Sequence, residues 1–132
     1  MAGGQGIQEG GEPMSVNERI TSALTSLGYP IRADLYTGSE DTYFTFNYTT
    51  RGCCFGDNKP GYDLYLIQVH FFCPYTFDYV DMIGSVKSLL FGAGFTWPEM
   101  ENATGDYAEA AKAGRHFVFE CECLGSAVDG QH

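Results

Sequence analysis

Basic residues are scarce in this chain. Seven Lys and Arg stand against 17 Asp and Glu over 132 residues, a formal net charge of −10. That deficit excludes the usual nucleic-acid binder, which needs a basic stripe to neutralise phosphates. An anionic membrane surface would repel the chain for the same reason. Long apolar runs are missing too, since no stretch approaches the ~20 residues needed to cross a bilayer as a helix. The opening MAGGQGIQEGGEP lacks a basic n-region and an apolar h-region, so it does not read as a secretory signal and folding is expected in a reducing cytoplasm. There the five cysteines, an odd number, are expected as thiols. The sequons Asn47-Tyr48-Thr49 and Asn102-Ala103-Thr104 would then meet no glycosylation machinery.

The spacings that chemistry requires are also missing. The candidate metal ligands are Cys53, Cys54, His70, Cys73, Cys121 and Cys123, but none form the Cys-x2-4-Cys knuckle of a structural zinc site. Cys121 and Cys123 share a strand face, where regular geometry parts them by roughly 7 Å, too far for Zn–S bonds of about 2.3 Å. An unbroken strand points His70 and Cys73 to opposite faces; a break at Pro74 would change that. The alternative reading is buried thiols acting as small hydrophobes. Cys53-Cys54 is not Cys-x-x-Cys and opens no helix that would lower a thiol pKa.

Acid–base or nucleophilic catalysis needs a base within reach of a nucleophile. His70 and His116 can lie on neighbouring strands with Glu120 on the face of His116, or all three can be solvated positions on an outer sheet face. No Gly-x-Ser-x-Gly elbow occurs, and Gly92-Ala93-Gly94 ends a helix instead of opening one, so it cradles no phosphate. The expectation is a protein without catalytic residues, metal or cofactor.

What is present is a core of about 110 residues, 14–124, between a flexible arm (1–13) and a flexible tail (125–132). Ser15 and Glu18 form a capping box. Val16, Ile20, Ala23, Leu24 and Leu27 follow at helical spacing, and Gly28 and Pro30 end the helix. Ile31–Tyr36 reads as a short strand. Thr42–Thr49 and Tyr62–Phe72 alternate with period two and are rich in aromatic and β-branched residues, as antiparallel strands are. Between them Gly52, Gly56, Asp57, Asn58, Pro60 and Gly61 make a long polar connection. A second helix is expected over Phe77–Ala93, capped by Thr76, with Tyr79, Ile83, Val86 and Leu90 buried and Gly84 marking close packing. Phe95–Met100 reads as an edge strand because of Pro98. Residues 101–114 read as a loop and Arg115–Leu124 as the last strand. The fold class is α+β, in the order α-β-β-β-α-β-β: an antiparallel sheet of four to five strands with two helices on one face.

In that order the segments VNERITSALTSLGYPIRADLY, DTYFTFNYTTRG, GYDLYLIQVHFF, DYVDMIGSVKSLLFGAGF and HFVFECE resemble the tail completion, or tail terminator, proteins of long-tailed phages, which include tail-to-head joining proteins. The resemblance covers most of residues 15–124 and rests on order, on Arg51-Gly52 and on the helix ending in Ala93-Gly94-Phe95. It departs in the longer stretch 102–114 and in the glycine-rich arm before Met14.

The resemblance implies a structural virion protein, not an enzyme. It would form a homo-oligomeric ring, a hexamer, at the head-proximal end of the tail. There it would terminate the tube and join the capsid neck, after synthesis in the host cytoplasm. Its partners would be copies of itself, the tail tube protein and the head-closure or neck protein. Genomic DNA would pass through the channel without specific binding, and no membrane partner is implied. On this reading residues 49–61 are a contact arm with Arg51, Phe55, Asp57, Asn58 and Tyr62 as contact residues; the bland alternative is a solvated hairpin tip. Acidic ring walls would repel DNA phosphates over about 8 Å at physiological salt, and solubility explains the same charge equally well. A head-closure or connector adaptor is the neighbouring reading, and a small metal-dependent enzyme is the competitor from another class.

Overall fold

Ser15 and Glu18 start the first helix by satisfying each other's backbone amides. In the computed structural model, which describes residues 15–53, 62–104 and 114–126, the Ser15 N–H donates to Glu18 Oε1 at 3.0 Å and the Glu18 N–H to Ser15 Oγ at 3.2 Å. The helix, α1, spans Val16–Thr25. It buries Ile20 and Leu24 fully, with Val16, Ala23 and Leu27 packed around them. Gly28, at φ +87°, turns the chain out of the helix in a conformation that favours glycine.

Strand β1 (Ile31–Ala33) is half the expected length. Asp34 adopts φ +67°, a left-handed conformation that a short polar side chain tolerates and a continuing strand does not. Strands β2 (Tyr43–Cys53) and β3 (Tyr62–Cys73) pair antiparallel from Tyr43 opposite Phe72 to Cys53 opposite Tyr62. Arg51, Gly52 and Cys53 therefore belong to the ladder, opposite Leu64, Asp63 and Tyr62, and not to a polar connection. Residues 54–61 lie outside the described residues.

Helix α2 spans Val80–Gly92, three residues shorter at its start than its periodicity predicts. Thr76 is not its cap: Tyr79 takes that place without a side-chain bond of its own, and Asp78 Oδ1 accepts from the Val80 N–H at 3.4 Å. The reason is packing, because Phe77 is drawn down to Phe71 (5.6 Å between rings) and Tyr79 to Phe117 (4.8 Å), which holds the approach as a turn. Gly84 faces open space, so the close packing expected there is absent. Gly94, at φ +101°, stops the helix as expected. Strand β4 (Glu99–Asn102) begins just after Pro98, and β5 runs over Arg115–Ser126, two residues past the expected end.

The five strands lie in the order β1-β2-β3-β5-β4. The α+β class and the element order are as the sequence implies, and the sheet is mixed because β1 joins β2 in parallel. Both helices cover one face, where Phe44, Phe46, Ile67, Val69, Phe71, Phe117 and Phe119 meet Ile20, Leu24, Val86 and Leu90 in one cluster. Arg19 ties this layer together. Its guanidinium donates to Ala93 O at 3.1 Å, lies 3.7 Å from Cys123 Sγ and stands 4.6 Å above the Phe95 ring.

Candidate protein contact site

The face of the sheet turned away from the helices is divided across the strands. At one end it is sealed. Tyr36, Tyr43, Phe72 and His116 form a ladder of rings, with successive centroids 4.5, 4.8 and 4.3 Å apart. Phe72 is 2 % exposed and His116 fully buried. Strand parity puts Tyr43, Phe72 and His116 on this face, and the alternation alone reads it as the wet one.

His70 and His116 are accordingly not solvated. Their rings stack and meet through His70 Nδ1 and His116 Nε2 at 2.8 Å, while His70 Nε2 sits 3.1 Å from Asn47 Nδ2. With Asn47 donating, a neutral His70 carries its proton on Nδ1 and passes a hydrogen bond on to His116. Burial lowers the His70 pKa below its ordinary 6.5, consistent with that neutral chain. Glu120 does not join it, since its carboxylate accepts from Gln68 Nε2 at 3.1 Å.

The other end of the same face is open. Residues 47, 49 and 51 of β2 stand in register with Gln68, Leu66 and Leu64 of β3, and these with Glu120, Glu122 and Leu124 of β5. Tyr62 continues the row. Tyr62 and Leu124 are each about half exposed (50 % and 52 %), and Leu64 and Leu66 are only partly covered. Trp97, 52 % exposed and edge-on to Phe91, forms a wall facing Leu66 and Glu122. Between this wall and the strands runs a groove of about 680 Å³ lined by Asn47, Thr49, Leu66, Gln68, Glu99, Glu120 and Glu122. Its floor is largely polar, with Leu66 among Asn47, Thr49 and Gln68, and Trp97 and three carboxylates stand around it, a mixture that suits the polar rim of a protein contact.

Of the contact residues expected from sequence, Arg51 and Tyr62 come together on this open end, both exposed and on adjacent strands. Phe55, Asp57 and Asn58 lie outside the described residues. Leu64, Leu66 and Leu124 were not singled out, although strand parity with Tyr62 marks them. Trp97 carried no such signal, because its position depends on how the chain passes from α2 to β4.

Three of the thiols belong to the interior. Cys121 and Cys123 point into the helix-covered core, and Cys73 is fully buried. Burial pushes the Cys121 thiol up to about 12, aided by Cys123 and Glu122, and the Cys73 thiol up to about 11. Such thiols are poor ligands and nucleophiles at neutral pH. Cys54 lies outside the described residues. Among the described residues no group of three His, Cys, Asp or Glu side chains is placed to hold a metal ion, and no helix is long and apolar enough to cross a membrane. No protein-family model and no curated protein matches the chain.

Proposed function

We propose that this chain is a structural subunit of a phage tail, forming a ring at the head-proximal end of the tube and joining it to the capsid neck. The observation that carries the reading is the unequal treatment of the sheet. One face is covered by both helices and half of the other is sealed by its own aromatic ladder, yet the remaining half leaves Tyr62 and Leu124 half exposed and Leu64 and Leu66 only partly covered. A sheet face that buries Tyr43, Phe72 and His116 at one end, and leaves this patch open at the other, has the surface of a subunit that expects a neighbour. The resemblance in element order to tail terminator proteins supplies the kind of neighbour: copies of itself, the tube below and the neck above. The net charge of −10 suits a ring through which DNA passes without adhering.

The test is electron microscopy of purified virions with this chain located by a small fused tag. Density at the junction of tube and neck, as a single ring, is the expected result. Density in the neck stack, away from the tube, would make it a head-closure adaptor instead. Absence from that region would end the reading.

A further inference from the structure

Strand β2 is longer than the strand beside it. The Phe44 N–H donates to Pro30 O and Phe46 O accepts from the Asp34 N–H, each at 2.8 Å. Even-numbered residues of β2 therefore turn their backbone groups toward β1, and odd-numbered ones toward β3. But β1 ends at Ala33, and Asp34 at φ +67° leads the chain off the sheet. Tyr48, Thr50 and Gly52 are left presenting N–H and C=O groups that have no backbone partner among the described residues. Thr49, Thr50, Arg51 and Gly52 are all exposed. An open strand edge of this kind is a template for another strand.

The opposite border of the sheet is β4. The Ala103 N–H donates to His116 O at 2.7 Å, so Glu99 and Glu101 share its orientation toward β5, while Met100 and Asn102 turn their backbone groups outward. The two borders differ in charge. The open stretch of β2 carries Arg51 and no acid; β4 carries Glu99 and Glu101 and no base. In a chain with 7 basic against 17 acidic residues, two copies of the same border would repel or ignore each other, and the two different borders attract.

We propose that the Tyr48–Gly52 edge of β2 receives the Glu99–Asn102 edge of a second copy, so that the sheet continues from one subunit into the next. The contact is heterologous and closes only where the rotation fits; for that closure it rests on the ring reading above. Arg51 of one copy then lies by the glutamates of the other, which fixes partner and direction.

Thr50→Pro tests it without touching the subunit's own ladder, because the Thr50 N–H points away from β3. By sedimentation velocity and native mass spectrometry, wild type should form rings. Thr50→Pro should raise the concentration for half-assembly at least about tenfold, while its circular dichroism stays that of wild type. Arg51→Glu alone, and Glu99→Lys with Glu101→Lys, should each be impaired similarly by facing like charges. Mixing the two variants should restore rings, since every junction then pairs opposite signs. Full assembly of Thr50→Pro would overturn the edge contact and leave the ring standing. Indifference to the Glu99 and Glu101 changes would do the same and point to two β2 edges pairing with each other. A monomeric wild type overturns it outright, and slow hydrogen exchange at Tyr48, Thr50 and Gly52 in that monomer would assign the edge to a segment of the same chain. The neck location stands or falls by microscopy, independently of these results.

Discussion

Replacing Phe72 by alanine asks whether the second face of this sheet is a core or a surface. On a wet face the change would cost little, within about 0.5 kcal/mol. Here Phe72 is 2 % exposed, stacked at 4.8 Å on Tyr43 and at 4.3 Å on His116. Deleting a buried phenyl ring typically costs about 3–5 kcal/mol, through lost transfer energy and the cavity left behind. Collapse of the short ladder around the gap favours the lower end, so we expect ~3 kcal/mol. That is a large share of the roughly 5–15 kcal/mol that stabilises a domain of this size. With a urea m-value near ~2 kcal/mol/M, the unfolding midpoint falls by about 1.5 M at unchanged m. A double-mutant cycle with Tyr43→Ala isolates the stack and should return a coupling of about 0.5–1.5 kcal/mol. A loss under about 1 kcal/mol, or no coupling, would refute a sealed second face.

Two further outcomes follow from the buried titratable groups. His70 has a pKa lowered by burial from 6.5, so the unfolded chain binds its proton first as pH falls; stability is fully present above about pH 6.5 and is lost below it until the folded pKa is reached. Urea midpoints taken from pH 7.5 downward should show this acid slope, and His70→Phe should flatten it. Cys73 and Cys121, with thiols pushed up to about 11 and about 12, should resist iodoacetamide at pH 8 in the folded protein and react in 6 M guanidinium (roughly three-fold the concentration that unfolds most small domains); peptide mass spectrometry reads both, and fast native alkylation would contradict their burial.

The parts of this fold legible in the sequence were those set by local chemistry. The Ser15–Glu18 box, Gly28, Gly94 and the alternation from Tyr65 to Phe71 each act over a few residues, and each stands where its chemistry puts it. The misreadings have other causes. Asp34 ends β1 early through a left-handed backbone conformation that the strand pattern does not mark, and Phe77 delays α2 because of what lies across the core, not beside it in the chain. The second face was harder still: alternation marks one face of a strand as apolar, and Tyr43, His70, Phe72 and His116 look like the other. Only the register of β3 against β5, which sets Phe72 opposite His116, shows that they seal one another. Within the contact site, Arg51 and Tyr62 were legible as flanks of a connection, and Trp97 was not.

Strand β5 lies between β3 and β4, although β4 precedes it in the chain. Until Arg115–Ser126 has been synthesised, β4 has nothing to pair with, and the aromatic side chains of β3 lack their cover from Phe117 and Phe119. The border that carries Glu99 and Glu101 is thus created by the closing step of folding. A half-made polypeptide has no such border, so on the edge pairing proposed above a subunit becomes joinable only once its own interior is finished.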